Sequence, residues 1–340
     1  MTRRAARRAP EARGLLSQPA RAAARAVARL RLERAVEKAA PLVLPTAGDA
    51  AATIGNEEVH DFRVALRRLR SWIRATRGIL HDTIPRRDRA DLRRLARCAG
   101  AARDAQVEWL WLTKPGEPFS APAARAAAWL ADHRRAIYAA ERRQLQRRTA
   151  ERWSDLATSV AAALADASDE GNESLGEHLA PVLLKQLGIA QAALDRFEHR
   201  TQVKLIHQAR IEVKRLRYVV EAVDAGTPAG RRALKFLRLL QDSLGELHDA
   251  HVITLQLDPL LVPHRGRRRP AGRPALRDLR ALRAAVRRRE LAAFREAMDL
   301  MVSPMADAAW STLARVPLAL RRHRARRVAQ RPTVVGVAAE

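Results

Sequence analysis

The sequence predicts an all-α protein made from two copies of one helical unit, and three observations carry this. Apolar residues recur at helical spacing along most of the 340-residue chain, while strand-type alternation is nearly absent. Alanine and leucine make up much of the hydrophobic 47%, a mixture that favours helix over strand. A histidine-led cationic motif occurs twice without a gap, as HDFRVALRRLR from His60 and HQARIEVKRLR from His207. Chance in an arginine-rich chain explains one copy; matching histidines, basic positions and apolar positions in two copies point to duplication.

The elements follow from the breakers. Residues 1–19 form a basic segment expected to lack order; their arginine and alanine content is that of an organellar transit peptide, without the apolar centre of a secretory signal. A first helix covers about residues 20–40, closed by Pro41 and Pro45. Asn56 can cap a second that runs to about Leu80, with Glu57 and Glu58 in the first turn, where the helix dipole favours carboxylates. Pro85 precedes a third, which Pro115 and Gly116 close, and a fourth covers about residues 121–166. The polar stretch DASDEGNES marks the midpoint. The same order then repeats at about 177–199, 202–224, 229–257 (before Pro259) and 275–302. RGRRRPAGRP from Arg265 reads as a loop, and the end of the chain as a basic tail expected to lack order.

The repetition extends beyond the histidine motif. LRRLARCAGAARDAQV from Leu92 aligns with LRLLQDSLGELHDAHV from Leu237, pairing Gly100 with Gly245, Asp104 with Asp249 and Val107 with Val252. The expectation is a helical domain over residues 20–316, with repeat one at about 20–166, repeat two at about 177–316 and a tail at 317–340. Its two halves are expected to be pseudo-symmetric four-helix bundles.

A formal net charge of +27 exceeds what solubility needs and attracts polyanions: nucleic acid, an anionic membrane surface or a phosphate chain. Cys98 is the only cysteine, which excludes an internal disulfide or a cysteine-based zinc site. No apolar run is long enough to span a membrane.

At about 100° per residue, Arg63, Arg67, Arg70, Arg74 and Arg77 share one arc with His60. Phe62, Leu66, Leu69, Ile73 and Leu80 lie opposite. In the second copy His207, Arg210, Lys214 and Arg217 share a face, with Ala209, Val213, Leu216 and Val220 opposite. Arg68 and Arg215 fall at the edge of each arc. A solvated helix face normally mixes signs, because like charges at i, i+4 repel. From Asp61 to Leu80 six arginines accumulate with no acid among them, and a bound polyanion would relieve that repulsion.

Arg103 lies within the stripe of Leu95, Ala99, Ala102 and Leu110, and His248 lies among Leu237, Leu240, Leu244 and Leu247. A cation on an apolar stripe is either paired, with Asp104 and Asp249 available, or faces a wet channel. Single-stranded nucleic acid is usually held on aromatic platforms, yet aromatics total 4%, Trp72 is off the arc, and only Tyr218 lies on a basic face. Phosphate contacts are better supported than base reading. His248 and His251 at i, i+3 and the His-Asp dipeptides raise a metal or catalytic alternative, but metal-ligand spacing, a glycine-rich phosphate loop and a nucleophile–base pair are all missing.

VHDFRVALRRLR from Val59, RDAQV from Arg103, IHQARIEVKRLRY from Ile206 and LGELHDAHV from Leu244 together resemble the CHAD family, helical domains named for their histidines. The resemblance covers about residues 20–316. It implies two pseudo-twofold-related bundles around a basic central channel that binds inorganic polyphosphate, without catalysis or a cofactor, at polyphosphate granules in bacterial cytoplasm. By position the anion contacts would be His60, Arg63, Arg67, Arg68, Arg70, Arg103, His207, Arg210, Lys214, Arg215, Arg217, Tyr218 and His248, and the shared arc adds Arg74. Other granule-associated proteins are expected partners, and nucleic acid a weaker competitor.

Overall fold

The amphipathic segments fold into ten α-helices among the described residues of a computed structural model, which are 12–43, 56–80, 82–113, 118–165, 173–224, 227–262 and 272–323. The helices are α1 (Ala20–Val43), α2 (Asn56–Ala75), α3 (Arg77–Leu80), α4 (Arg86–Thr113) and α5 (Ala121–Ala165), followed by α6 (Leu175–Leu194), α7 (Val203–Asp224), α8 (Pro228–Leu261), α9 (Leu276–Met301) and α10 (Pro304–Arg321). Each apolar stripe is buried against a neighbour. In the first half α1 packs on α2, α2 on α4, and α4 along α5, which returns to α1. In the second half α6 packs on α7, α7 on α8 and α8 along α9, and α10 returns to α6. These are two related helical sub-bundles. They meet where α2 touches α7, α4 touches α8, α1 touches α6 and α5 touches α9.

One long helix in the first half therefore corresponds to two in the second. The break has a local cause: Ser303 caps α10 by accepting a hydrogen bond from the Ala306 N–H at 3.2 Å, and Pro304 opens it. A proline at the first helical position lacks the N–H that a continuous helix would use. The sequence reading did not include α10, which runs past the expected tail boundary at residue 317. The expected second helix is also interrupted. It stops at Ala75 and the short α3 follows, while the buried Thr76 still donates its N–H to the Trp72 carbonyl at 2.9 Å. Pro41 and Pro259 do not end their helices, which continue to Val43 and Leu261. Each proline falls in the last turn, where a missing N–H bond and a displaced carbonyl disturb little.

Residues 12–19 are ordered, unlike the expectation for the N-terminal segment. The Ala12 N–H donates to the Ala222 carbonyl at 3.1 Å, the Gly176 N–H to the Leu16 carbonyl at 2.9 Å, and the Ala20 N–H to the Glu173 carbonyl at 2.9 Å. Residues 1–11, the loop at 265–271 and the stretch after 323 lie outside the described residues, as does the Asn56 side chain. The main core runs through both halves, with Phe62, Trp72, Phe197 and Phe236 fully buried, and a smaller cluster around Trp111, Leu130, Ile253 and Leu282 closes the far ends of α4, α5, α8 and α9.

Candidate functional site

The wheel positions of α2 and α7 hold in three dimensions. Phe62, Leu66, Leu69 and Leu80 are buried on one side, and Ala209, Val213, Leu216 and Val220 are buried on the other copy. Because α2 packs across α7, the two cationic faces converge. Arg63 and Arg67 of α2 and Arg210 and Arg217 of α7 all press on Lys214. Burial first, and then these four guanidinium groups, push the Lys214 ammonium down to about 6.

The equivalent ends of α4 and α8 close the centre. His207 and His248 lie with ring centroids 4.9 Å apart. His248 is held at about 4, chiefly by burial and then by Arg210 and His207. Burial likewise holds His60 and His207 below the usual imidazole value, with Arg103 adding to the effect at His60 and Arg210 at His207. Arg103 donates to Gln106 Oε1 at 2.6 Å and is lowered by burial and by Arg63. Both readings of the stripe cations are partly met. Asp104 lies 3.8 Å from Arg63, while Asp249 is pushed up to about 6 by its own burial despite Arg210 nearby. Leu110, on the apolar stripe of the wheel, is exposed, and its neighbours Trp111 and Leu112 are buried in its place.

Several donors in this centre are buried without a hydrogen-bond partner: Arg67 Nε, Arg210 Nε, His60 Nδ1, His248 Nδ1 and the Tyr218 hydroxyl. Among the described residues no carboxylate is paired with Arg67, Arg70, Arg74, Arg210 or Lys214. Buried donors left unmatched carry a desolvation penalty that an anion removes. Arg67 is held at about 10, chiefly by burial. Tyr218 is itself buried, with the Arg67 and Arg217 guanidinium carbons 5.0 Å and 4.5 Å from its ring centroid. Its ring faces are therefore committed to cations.

The remaining sequence-derived residues divide in two. Arg70 and Arg74 continue the ridge and line two cavities at once. One, of about 510 Å³, lies between α2, α6 and α7; the other, of about 710 Å³, lies toward the start of α4. Arg68, Arg215 and Arg217 are held by carboxylates. Arg68 donates to Glu221 Oε1 at 2.6 Å, and Arg215 donates to Glu212 Oε1 at 2.5 Å. The buried Arg217 donates to Gln241 Oε1 at 3.0 Å and lies 3.5 Å from Glu221. Arg68 lines a third, smaller cleft of about 200 Å³ beside α1.

Sequence reasoning missed the arginines of the 710 Å³ cavity, Arg86, Arg89 and Arg93, along with Lys185 of α6. The signal was present for three of them: Arg86, Arg89 and Arg93 are spaced i, i+3, i+7 and share one helix face. No group of three or more metal-binding side chains gathers among the described residues, and no helix there is long and apolar enough to cross a membrane.

The geometry can be set beside known proteins. The crystal structure of the CHAD domain from the plant Ricinus communis superposes with a TM-score of 0.58 at 19% identity, covering 88% of this chain and 93% of that one. PptA from Streptomyces chartreusis superposes with a TM-score of 0.57 at 16% identity, covering 87% and 100%. At such identities the likeness concerns the fold. No curated protein matches the sequence. The CHAD domain family model matches residues 44–258, more than half of the chain and including both histidine motifs, and the protein belongs to that family.

Proposed function

We propose that this protein binds inorganic polyphosphate without catalysis, in a basic channel where the two sub-bundles meet about a pseudo-twofold axis. One observation carries the reading: Arg67, Arg210 and Lys214 converge from the two copies of the motif, half-buried and without carboxylate partners among the described residues. Such a centre is matched by a ligand that is a row of charges and little else. His60, Arg63, Arg67, Arg70, Arg103, His207, Arg210, Lys214 and His248 contact the chain directly. Arg74 extends the path outward, and Arg68, Arg215, Arg217 and Tyr218 hold the walls. The protein then acts in the cytoplasm at polyphosphate granules, alongside other granule proteins. Nucleic acid is a weaker ligand, because Trp72 is buried and Tyr218 lies against two arginines, which leaves no platform there for a base.

Titration with polyphosphates of graded length tests the proposal. Affinity should rise with length until the channel is filled and then level off. Long-chain polyphosphate should also displace duplex DNA. Retention of DNA against excess polyphosphate, or an affinity independent of length, would overturn it.

A further inference from the structure

Duplication allows the two sub-bundles to be compared cleft by cleft. Val64 and Arg68 of the first motif line the 200 Å³ cleft beside α1. Their counterparts Ile211 and Arg215 line the 510 Å³ cleft beside α6. These are therefore equivalent places in the two repeats, yet their walls differ. The first is polar, with Arg31, Arg34, Glu37, Lys38 and Asp61 around it, and Lys38 is 3.3 Å from Asp61. The second is lined by Val182, Ile189, Ile211 and Val219 together with Arg67, Arg70, Arg74, Lys185 and Lys214.

A pure phosphate chain has no use for these apolar residues. Ile189 is 40% exposed, which costs solvation unless something covers it. Along α2, Arg67 to Arg74 spans about 10 Å, enough for several linked phosphates and more than a single phosphate group needs. The cleft volume lies in the range of small-molecule sites, about 300–1,000 Å³. Unpartnered donors, Arg67 Nε and the Tyr218 hydroxyl, belong to lining residues.

We propose that the α2–α6–α7 cleft is a second ligand site, which takes an oligophosphate joined to an apolar ring system, with a nucleoside triphosphate as the fitting class. The phosphates lie on Arg67, Arg70, Arg74 and Lys214, and the nucleoside covers Val182, Ile189 and Ile211. The inference rests on the polyanion reading for its cations alone; the apolar wall is its own observation. Because Arg67 and Lys214 belong to both sites, a bound nucleotide and a polyphosphate chain exclude one another.

Calorimetric titration of the full chain with ATP and with inorganic tripolyphosphate, without divalent cations, tests this. Tripolyphosphate carries more negative charge, so charge alone ranks it first. Apolar contact reverses the order, and ATP should bind about tenfold tighter, at one site per chain. Ile189→Asn and, separately, Ile211→Asn should bring ATP down to the tripolyphosphate level. Neither should change the binding of tripolyphosphate or of long-chain polyphosphate. ATP binding no tighter than tripolyphosphate, or both variants retaining the preference, overturns the proposal. Long-chain polyphosphate, measured in parallel, separates the two readings: if it fails to bind while ATP behaves as expected, the channel assignment falls and the cleft stands.

Discussion

His207 of α7 and His248 of α8 face each other with ring centroids 4.9 Å apart and planes inclined at 40°. Both are kept below the ordinary imidazole value, His248 at about 4, because burial and Arg210 oppose a further charge. Neutral at pH 7, they add no charge to the guanidinium groups around them.

Asp249 masks part of the resulting pH dependence. Between about 4 and 6.5 the unfolded chain binds the His248 proton and the folded one does not, so this group makes stability rise with pH. His60 and His207 act in the same direction. Asp249, raised to about 6, binds its proton preferentially in the folded state and opposes them between about 4 and 6. Asp249→Asn should therefore steepen the rise of Tm with pH over that interval. An unchanged or flatter profile by differential scanning calorimetry would contradict the assignment.

Lys214 gives a cleaner window. Its folded value of about 6 lies well below its ordinary 10.5, so the unfolded chain holds the extra proton between them and stability rises with pH there. Lys214→Met should flatten that slope and raise Tm at pH 7, since an amine that must give up its proton on folding is replaced by an apolar chain. The same variant should bind polyphosphate about tenfold more weakly, the loss of roughly one charge-assisted contact. In wild type, binding at pH 8 should take up protons, read as a buffer-dependent heat that shrinks in the variant.

Arg67 lies over the ring of Tyr218 and has an unpartnered Nε, so in the proposed polyphosphate site it serves both the anion and the wall. His60→Ala combined with Arg67→Ala should weaken polyphosphate binding by at least about tenfold and reduce the salt dependence by about one unit of log–log slope. Far-UV circular dichroism should be unchanged, because the apolar face of α2 is untouched. Wild-type affinity in this variant would remove the α2 face from the site.

At the seam between the chain ends, Gly176 has the Leu320 carbonyl oxygen 2.6 Å and the Leu16 carbonyl oxygen 3.2 Å from where a Cβ would lie. Gly176→Ala should destabilise by about 1–3 kcal/mol, because backbone rather than a flexible side chain must move. Thermal melts test it, and Gly188→Ala on the same helix, with open space around it, should lose no stability.

Particular residues show what could be read in advance. Periodicity placed Phe62, Leu66 and Leu69 opposite Arg63, Arg67 and Arg70 because helical geometry is local, and the structure buries the first three. The repeated motif foretold two halves. Ser303 escaped that reading: it starts a new helix through one side-chain hydrogen bond that periodicity does not register. Residues 12–19 look like a loose end in the sequence because their order comes from distant partners such as Ala222 and Gly176.

The sequence by itself determined the helical class, the duplication and which side of α2 and α7 is cationic, since these follow from composition and from spacing within one helix. Only the tertiary structure decided that the two cationic sides meet on Lys214, and that Arg68 and Arg215 are neutralised by Glu221 and Glu212 while Arg67 and Arg210 are not. Pairing and burial depend on which distant helices come into contact, and no wheel drawn for a single helix contains that information.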